Sequence, residues 1–247
     1  MLKKLAILLM VPVFFLAITF NQSAYAEWYA GGAIGVSIPH DVDDLKGTYS
    51  TGTASVTSFS PDTSFTGGIK GGYFFENIPY FGVEINWSIS ESDVDKEAVA
   101  LTITGTATGL GAGQATGDFL FSADVDSVSS FGFLAMLRAT DEDAKAKYNG
   151  IQPFLGLGFM VSTIDANSAT LFNTAGTQLG VTANSASSTD VGFLLSAGLN
   201  YIVSDNIKVY SEYGFETVDY EFDSLDGLVT KVNPQASSLM FGSSYSF

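Results

Sequence analysis

The single histidine, His40, is followed by Asp41, Asp43 and Asp44 and preceded by Ser37. Serine, histidine and a carboxylate are the parts of an acyl-transfer site, with the histidine as general base. The chain lacks a Gly-x-Ser-x-Gly nucleophile turn, a His-Glu-x-x-His zinc motif and a second histidine. His40 therefore reads as a solvated residue beside acids, and the chain as a non-enzyme with no cofactor. Acids recur as Glu91, Asp93, Asp95 and Glu97, then as Asp219, Glu221, Asp223 and Asp226. Carboxylate oxygens suit Ca²⁺. The spacing lacks the glycine and terminal glutamate of a dedicated calcium loop, so no metal is assigned. A repulsive, solvated surface that keeps loops extended is the simpler reading.

A second set of charges lies inside otherwise uncharged segments: Lys70, Glu84, Arg138, Lys208, Glu212 and Glu216. Charged residues are only 15% of the chain, against about 25% in an ordinary soluble domain. Three bases against three acids is a balance that the rest of the chain does not share. Lys+Arg is 10 and Asp+Glu is 26, a net charge of −16. Such a balance points to ion pairing in a confined space. The overall charge excludes a nucleic-acid partner, which would be repelled. The absence of cysteine excludes a disulfide scaffold.

The segments that carry these charges alternate with period two, the signature of half-buried strands. Phe81, Val83, Ile85, Trp87 and Ile89 alternate with Tyr80, Gly82, Glu84, Asn86 and Ser88. Val191, Phe193, Leu195, Ala197, Leu199 and Tyr201 alternate with Gly192, Leu194, Ser196, Gly198 and Asn200. Eight such segments occur, near residues 28–38, 63–75, 80–89, 130–138, 152–161, 191–201, 207–216 and 238–247. One face is large and apolar. The other is rich in glycine and serine and holds the charges. A soluble sandwich would present a different wet face, so the apolar face is read as lipid-facing and the small face as a barrel interior. Trp28, Tyr73, Trp87, Tyr201 and Tyr245 stand near segment ends, where interfacial girdles form. Connections alternate between short (Glu76–Ile78, Thr140–Gly150, Ser204–Asn206) and long. Short turns then lie on the periplasmic rim with both termini, and long loops lie outside. Val99–Thr104 and Phe119–Phe121 could pair above the membrane. Read as spans instead, they would make ten strands.

Residues 1–26 precede this pattern. Lys3 and Lys4, the apolar run Leu5–Phe20 and Ala24-Tyr25-Ala26 form a secretory signal, expected to be cleaved before Glu27. The remaining chain, 27–247, is expected to be one domain.

The start WYAGGAIGVS, the hairpins FFENIPYFGVEINWS and SDNIKVYSEYGF and the strand QPFLGLGF resemble the eight-stranded outer-membrane barrels of the OmpA-transmembrane and opacity-protein type. LMFGSSYSF resembles their C-terminal assembly signal, with Phe241, Tyr245 and Phe247 as its apolar positions. The resemblance implies an all-β, antiparallel up-and-down barrel in a Gram-negative outer membrane. It implies insertion by the barrel-assembly machinery, contact with lipid and lipopolysaccharide, and variable surface loops that could meet a host or cell-surface partner. It implies no single activity. An adhesin- or antigen-like role is the first expectation and a narrow solute channel the alternative. Turn arithmetic adds two expectations. A turn centred on Asn77 sets Lys70 directly opposite Glu84. A turn at Asp205 sets Asn200 opposite Tyr210 and Gly198 opposite Glu212.

Overall fold

The computed structural model describes residues 27–247 except 43–44, 50–51, 58, 92, 108–110, 113–114, 173–174, 176–182 and 224–228. Residues 1–26, with the expected signal, lie outside the described residues, as do Asp43, Asp44 and Asp226.

Eight antiparallel strands close on themselves. They are β1 (Glu27–Pro39), β4 (Ser64–Phe75), β5 (Ile78–Ser90), β8 (Ala115–Arg138), β9 (Ile151–Phe172), β10 (Ala183–Ile202), β11 (Ile207–Val218) and β14 (Gln235–Ser246). β1 pairs with both β4 and β14, which closes the ring. The alternating sequence sets which residues face in. Phe65, Ile69 and Val191 are each about two-thirds exposed on the outer wall, whereas Glu84, Leu134, Met136 and Lys208 are almost fully buried inside it. An outer wall of this composition is matched to lipid. Trp28 and Tyr73 stand directly opposite each other on that wall, with ring centroids 4.7 Å apart.

The three tight connections share one end of the barrel. Glu76 and Asn77 join β4 to β5, and Val203–Asn206 join β10 to β11. A short helix, α1 (Asp141–Lys147), joins β8 to β9. Thr140 caps α1 by accepting from the Asp143 N–H, and Asp141, Glu142 and Asp143 suit the positive end of the helix. Asn149 and Gly150, at φ 52° and 85°, turn the chain into β9. At Gly150 a side chain would be strained.

The barrel strands are unequal. β8, β9 and β10 run 24, 22 and 20 residues, the other five 12 or 13. About 9–11 residues suffice to cross a bilayer, so the three long strands project well past it at the end opposite the turns. There the long connections are themselves strands: β2 (Leu45–Tyr49), β3 (Gly52–Thr57), β6 (Val94–Ala107), β12 (Tyr220–Asp223) and β13 (Val229–Val232). A two-residue β7 (Gly111–Ala112) folds back on β6. β6 takes over the edge of β8 where β5 ends, with Val99 opposite Phe119 and Glu97 opposite Phe121. The order continues β6–β3–β2–β13–β12, which brings β12 beside β10. At that seam Ser188 donates to the Glu221 carbonyl (2.9 Å), and the Glu221 N–H donates to Asp190 (3.2 Å). The long loops therefore form a folded collar and are not extended as expected. The Val99–Thr104 segment belongs to this collar, and the membrane barrel has eight strands, not ten.

A shift in register builds the collar core. Below it, Ser130, Leu134 and Met136 of β8 point inward. Pairing with β9 slips at Asp124–Val125 and again at Val125–Ser127, leaving Asp126 without a partner. An extra residue reverses the side-chain alternation beyond it. Phe121 and Val125 consequently turn inward and are buried with Val42, Phe59, Val94 and Val99. Phe59 and Phe121 touch, with centroids 5.2 Å apart.

Candidate functional site

In the lumen, charge, burial and confinement coincide. Glycine and serine backbones leave room there for larger inward side chains. A Cβ at Gly156 would sit 2.5 Å from the Ser196 hydroxyl and 2.7 Å from the Met136 sulfur. Phe74, Leu134, Met136, Phe154 and Tyr210 pack together in the space so made. Nearer the collar, Met160, Val218 and Tyr220 form a second cluster. There the Tyr220 hydroxyl donates to Ser162 at 2.6 Å.

Two ion clusters sit in this packing. In the first, Lys70 Nζ lies 2.5 Å from Glu212 and 3.5 Å from Glu84. It also stands over the Tyr210 ring at 4.0 Å and 5.1 Å from the Phe154 centroid. The Tyr29 hydroxyl donates to Glu84 Oε2 at 2.6 Å, while Glu84 Oε1 is buried with no protein partner. In the second, Arg138 and Lys208 both bind Glu27. Lys208 Nζ also reaches Asp141 at 3.1 Å, and Arg138 stacks on Phe74 at 3.6 Å. Gln152 and Asn200 extend the network by hydrogen bonds to Asp141 and to each other.

The geometry corrects three details of the expected charge set. Lys70 does not face Glu84 directly. It faces Asn86, and Glu84 faces Gly72. The pairing slips between Phe74 and Phe75, leaving Pro79, Tyr80 and Phe81 without β4 partners. Proline has no N–H to donate to a ladder. Lys70 and Glu84 meet diagonally instead, a reach that long side chains have. The β10–β11 register is the expected one, with Asn200 opposite Tyr210 and Gly198 opposite Glu212. Secondly, Arg138 and Lys208 pair with Glu27 and Asp141, two acids outside the expected set. Glu27 stands at the very start of β1 and Asp141 at the first residue of α1, so neither lies in an alternating stretch. Thirdly, Glu216 makes no ion pair among the described residues.

His40 Nε2 lies 2.9 Å from Ser237 Oγ, which also bonds Tyr213 at 2.8 Å. Ser37 points into the lumen instead. Among the described residues no carboxylate touches the His40 ring, and no group of three acids or histidines could hold a metal. Phe241, Tyr245 and Phe247 all project from the outer wall of the last strand or its end. The clusters and the packing around them leave about 20 Å³ of free space between Glu27, Lys70, Arg138 and Lys208. That is room for one water.

A family model described as an outer membrane protein beta-barrel domain matches residues 6–247. None of the curated proteins matches the chain in sequence. Among solved structures, OprG from Pseudomonas aeruginosa is 15% identical with a TM-score of 0.50, over 90% of this chain and 96% of its own. Neisserial surface protein A is 13% identical with a TM-score of 0.48, over 90% and 99%. Ail of Yersinia pestis is 12% identical with a TM-score of 0.39, over 89% and 98%.

Proposed function

The chain belongs to the outer membrane protein beta-barrel family, and from that premise we propose that it is a plugged, non-catalytic barrel whose task is surface contact. The turn end, with both termini, faces the periplasm. The collar faces outward and presents its acidic outer surface to a host or cell-surface partner and to the lipopolysaccharide around it. The interior charges Lys70, Glu84, Arg138, Lys208, Glu212 and Glu216, with Glu27 and Asp141, serve as a lock on strand register. The last strand, through Phe241, Tyr245 and Phe247, serves as the signal read by the barrel-assembly machinery. Residues 1–26 serve as the export signal.

The filled lumen carries this reading. Two ion clusters and two apolar clusters stand in the bore, and the space between Glu27, Lys70, Arg138 and Lys208 is about that of one water. A channel would need the clusters to part, and separating buried ion pairs costs several kcal/mol. The test is planar-bilayer conductance of the folded chain 27–247. Silence is expected from material whose gel mobility shifts on heating. Discrete openings that change with Glu84→Gln would replace the plug with a pore. Cells displaying a chain with the β2–β3 hairpin cut to a short turn should lose surface attachment while keeping the barrel.

A further inference from the structure

The outer wall is not uniformly apolar. On β11 the outward positions are Ile207, Val209, Ser211, Tyr213 and Phe215, so one hydroxyl stands in a lipid-facing row. Ser211 is flanked by Leu199 of β10 and Phe241 of β14, its direct partners. Its side chain has no hydrogen-bond partner among the described residues. A small residue between large ones leaves a groove of about 460 Å³. Leu199, Tyr201, Val209 and Phe241 form its sides, and Ile151 its end. In a lipid-facing wall the occupant is a hydrocarbon chain.

What lies at the groove's mouth selects the headgroup. Tyr201 and Ile151, which line the groove, lie next in the chain to the β10–β11 turn and to the end of the α1 connection, and Asp205 of that turn binds Lys145 of α1 at 2.8 Å. Both are exposed, Asp205 almost fully. A second mixed pair, Lys147 with Asp143 at 2.6 Å, spans one turn of the same helix. A headgroup with one phosphate and one ammonium can meet Lys145 and Asp205 together. An anionic headgroup meets Lys145 but leaves Asp205 without a cation.

We propose that this groove is a binding site for one zwitterionic phospholipid. An acyl chain lies along Ser211, between Leu199 and Phe241. The phosphate is met by Lys145 and the ammonium by Asp205. The assignment rests on the orientation proposed above, which puts the turn end in the phospholipid leaflet.

Native mass spectrometry of the folded barrel tests it, with phosphatidylethanolamine, phosphatidylglycerol of the same chains and lipopolysaccharide as competing probes. One phosphatidylethanolamine per barrel is expected. Ser211→Leu, which fills the groove with a side chain suited to the wall, should lower its retention about tenfold or more. Asp205→Asn, which removes the partner of the ammonium, should remove the preference over phosphatidylglycerol. Equal retention by the wild type and Ser211→Leu would overturn the site. So would a wild-type preference for phosphatidylglycerol. Ser211-dependent retention of lipopolysaccharide alone would show instead that the orientation is reversed. Protease shaving of intact cells at the collar checks that orientation separately.

Discussion

Lys70→Met is the most informative single change to the lumen. Methionine keeps an unbranched stem of the same reach, with sulfur in place of one methylene, and removes the ammonium group. The nearest contacts of the ammonium are lost: Glu212 at 2.5 Å, Glu84 at 3.5 Å and the Tyr210 face at 4.0 Å. Two carboxylates then remain in a space where the Glu84 and Glu212 side chains are 1% and 10% exposed. Removing one partner of a buried pair costs about 3–5 kcal/mol, because the other charge stays desolvated. The second carboxylate and the lost ring contact place this site toward the upper end of that range. At about 1.4 kcal/mol per tenfold, the folding equilibrium should fall by roughly 10²- to 10⁴-fold. Reversible urea unfolding in detergent micelles, followed by tryptophan fluorescence and gel mobility, would measure it. Adding Glu84→Gln and Glu212→Gln should recover most of the loss, since no unpaired charge then remains in the cluster. A loss under about 1 kcal/mol for Lys70→Met would be the value of a surface pair, and the register lock would be refuted. A triple variant no more stable than the single one would do the same.

Other consequences can be checked separately. Arg138→Ala should weaken the barrel less than Lys70→Met, because Glu27 keeps Lys208 at 2.8 Å and the Ser246 hydroxyl at 2.8 Å; equal losses in the same unfolding assay would contradict this. Deleting Asp126 should leave the membrane barrel folded, by heat-shifted mobility, and make the collar sensitive to protease, because Phe121 and Val125 would turn outward. Removing Phe247 should slow assembly in cells while leaving refolding in detergent intact; a normal yield in membranes would sink its role as a signal. The Asp205 carboxyl is held below its ordinary value of 3.8 by Lys145, and the Lys145 ammonium above its ordinary 10.5 by Asp205. The pair's contribution is therefore complete between those two values. It fades as pH falls through the lowered Asp205 value or rises through the raised Lys145 value. Carbon chemical shifts of both side chains should report that window, and an ordinary titration of Asp205 would contradict the contact.

The membrane barrel was legible because lipid enforces a strict rule. Every outward position must be apolar or small, so period two survives along whole strands such as Phe81–Ile89. Strand pairing was legible where a turn is tight: the Asp205 turn fixes β10 against β11 by simple reflection. It failed by two residues at Asn77, because reflection has no means to count the unpaired Pro79–Phe81. The collar was mostly hidden. Apart from β6 its main strands are only four to six residues long and mix Thr and Gly with charged residues, which read equally as loop. Only Val99–Thr104 against Phe119–Phe121 kept enough alternation to suggest a hairpin. The face reversal at Asp126 was invisible, since a bulge is a property of two strands. Glu27 and Asp141 were missed because the expected charge set was drawn only from within the alternating segments, and both stand just outside them.

The ring is sealed between the first strand and the last, with Tyr29 against Ser246 and Val36 against Leu239. Closure thus depends on residues at opposite ends of the chain. Contacts of such sequence separation form slowly. Until β14 is present, both β1 and β11 carry an open edge, and open edges recruit other chains. The protein therefore has no useful half-built form. A chain cut short before residue 235 would lack β14 and keep both edges open.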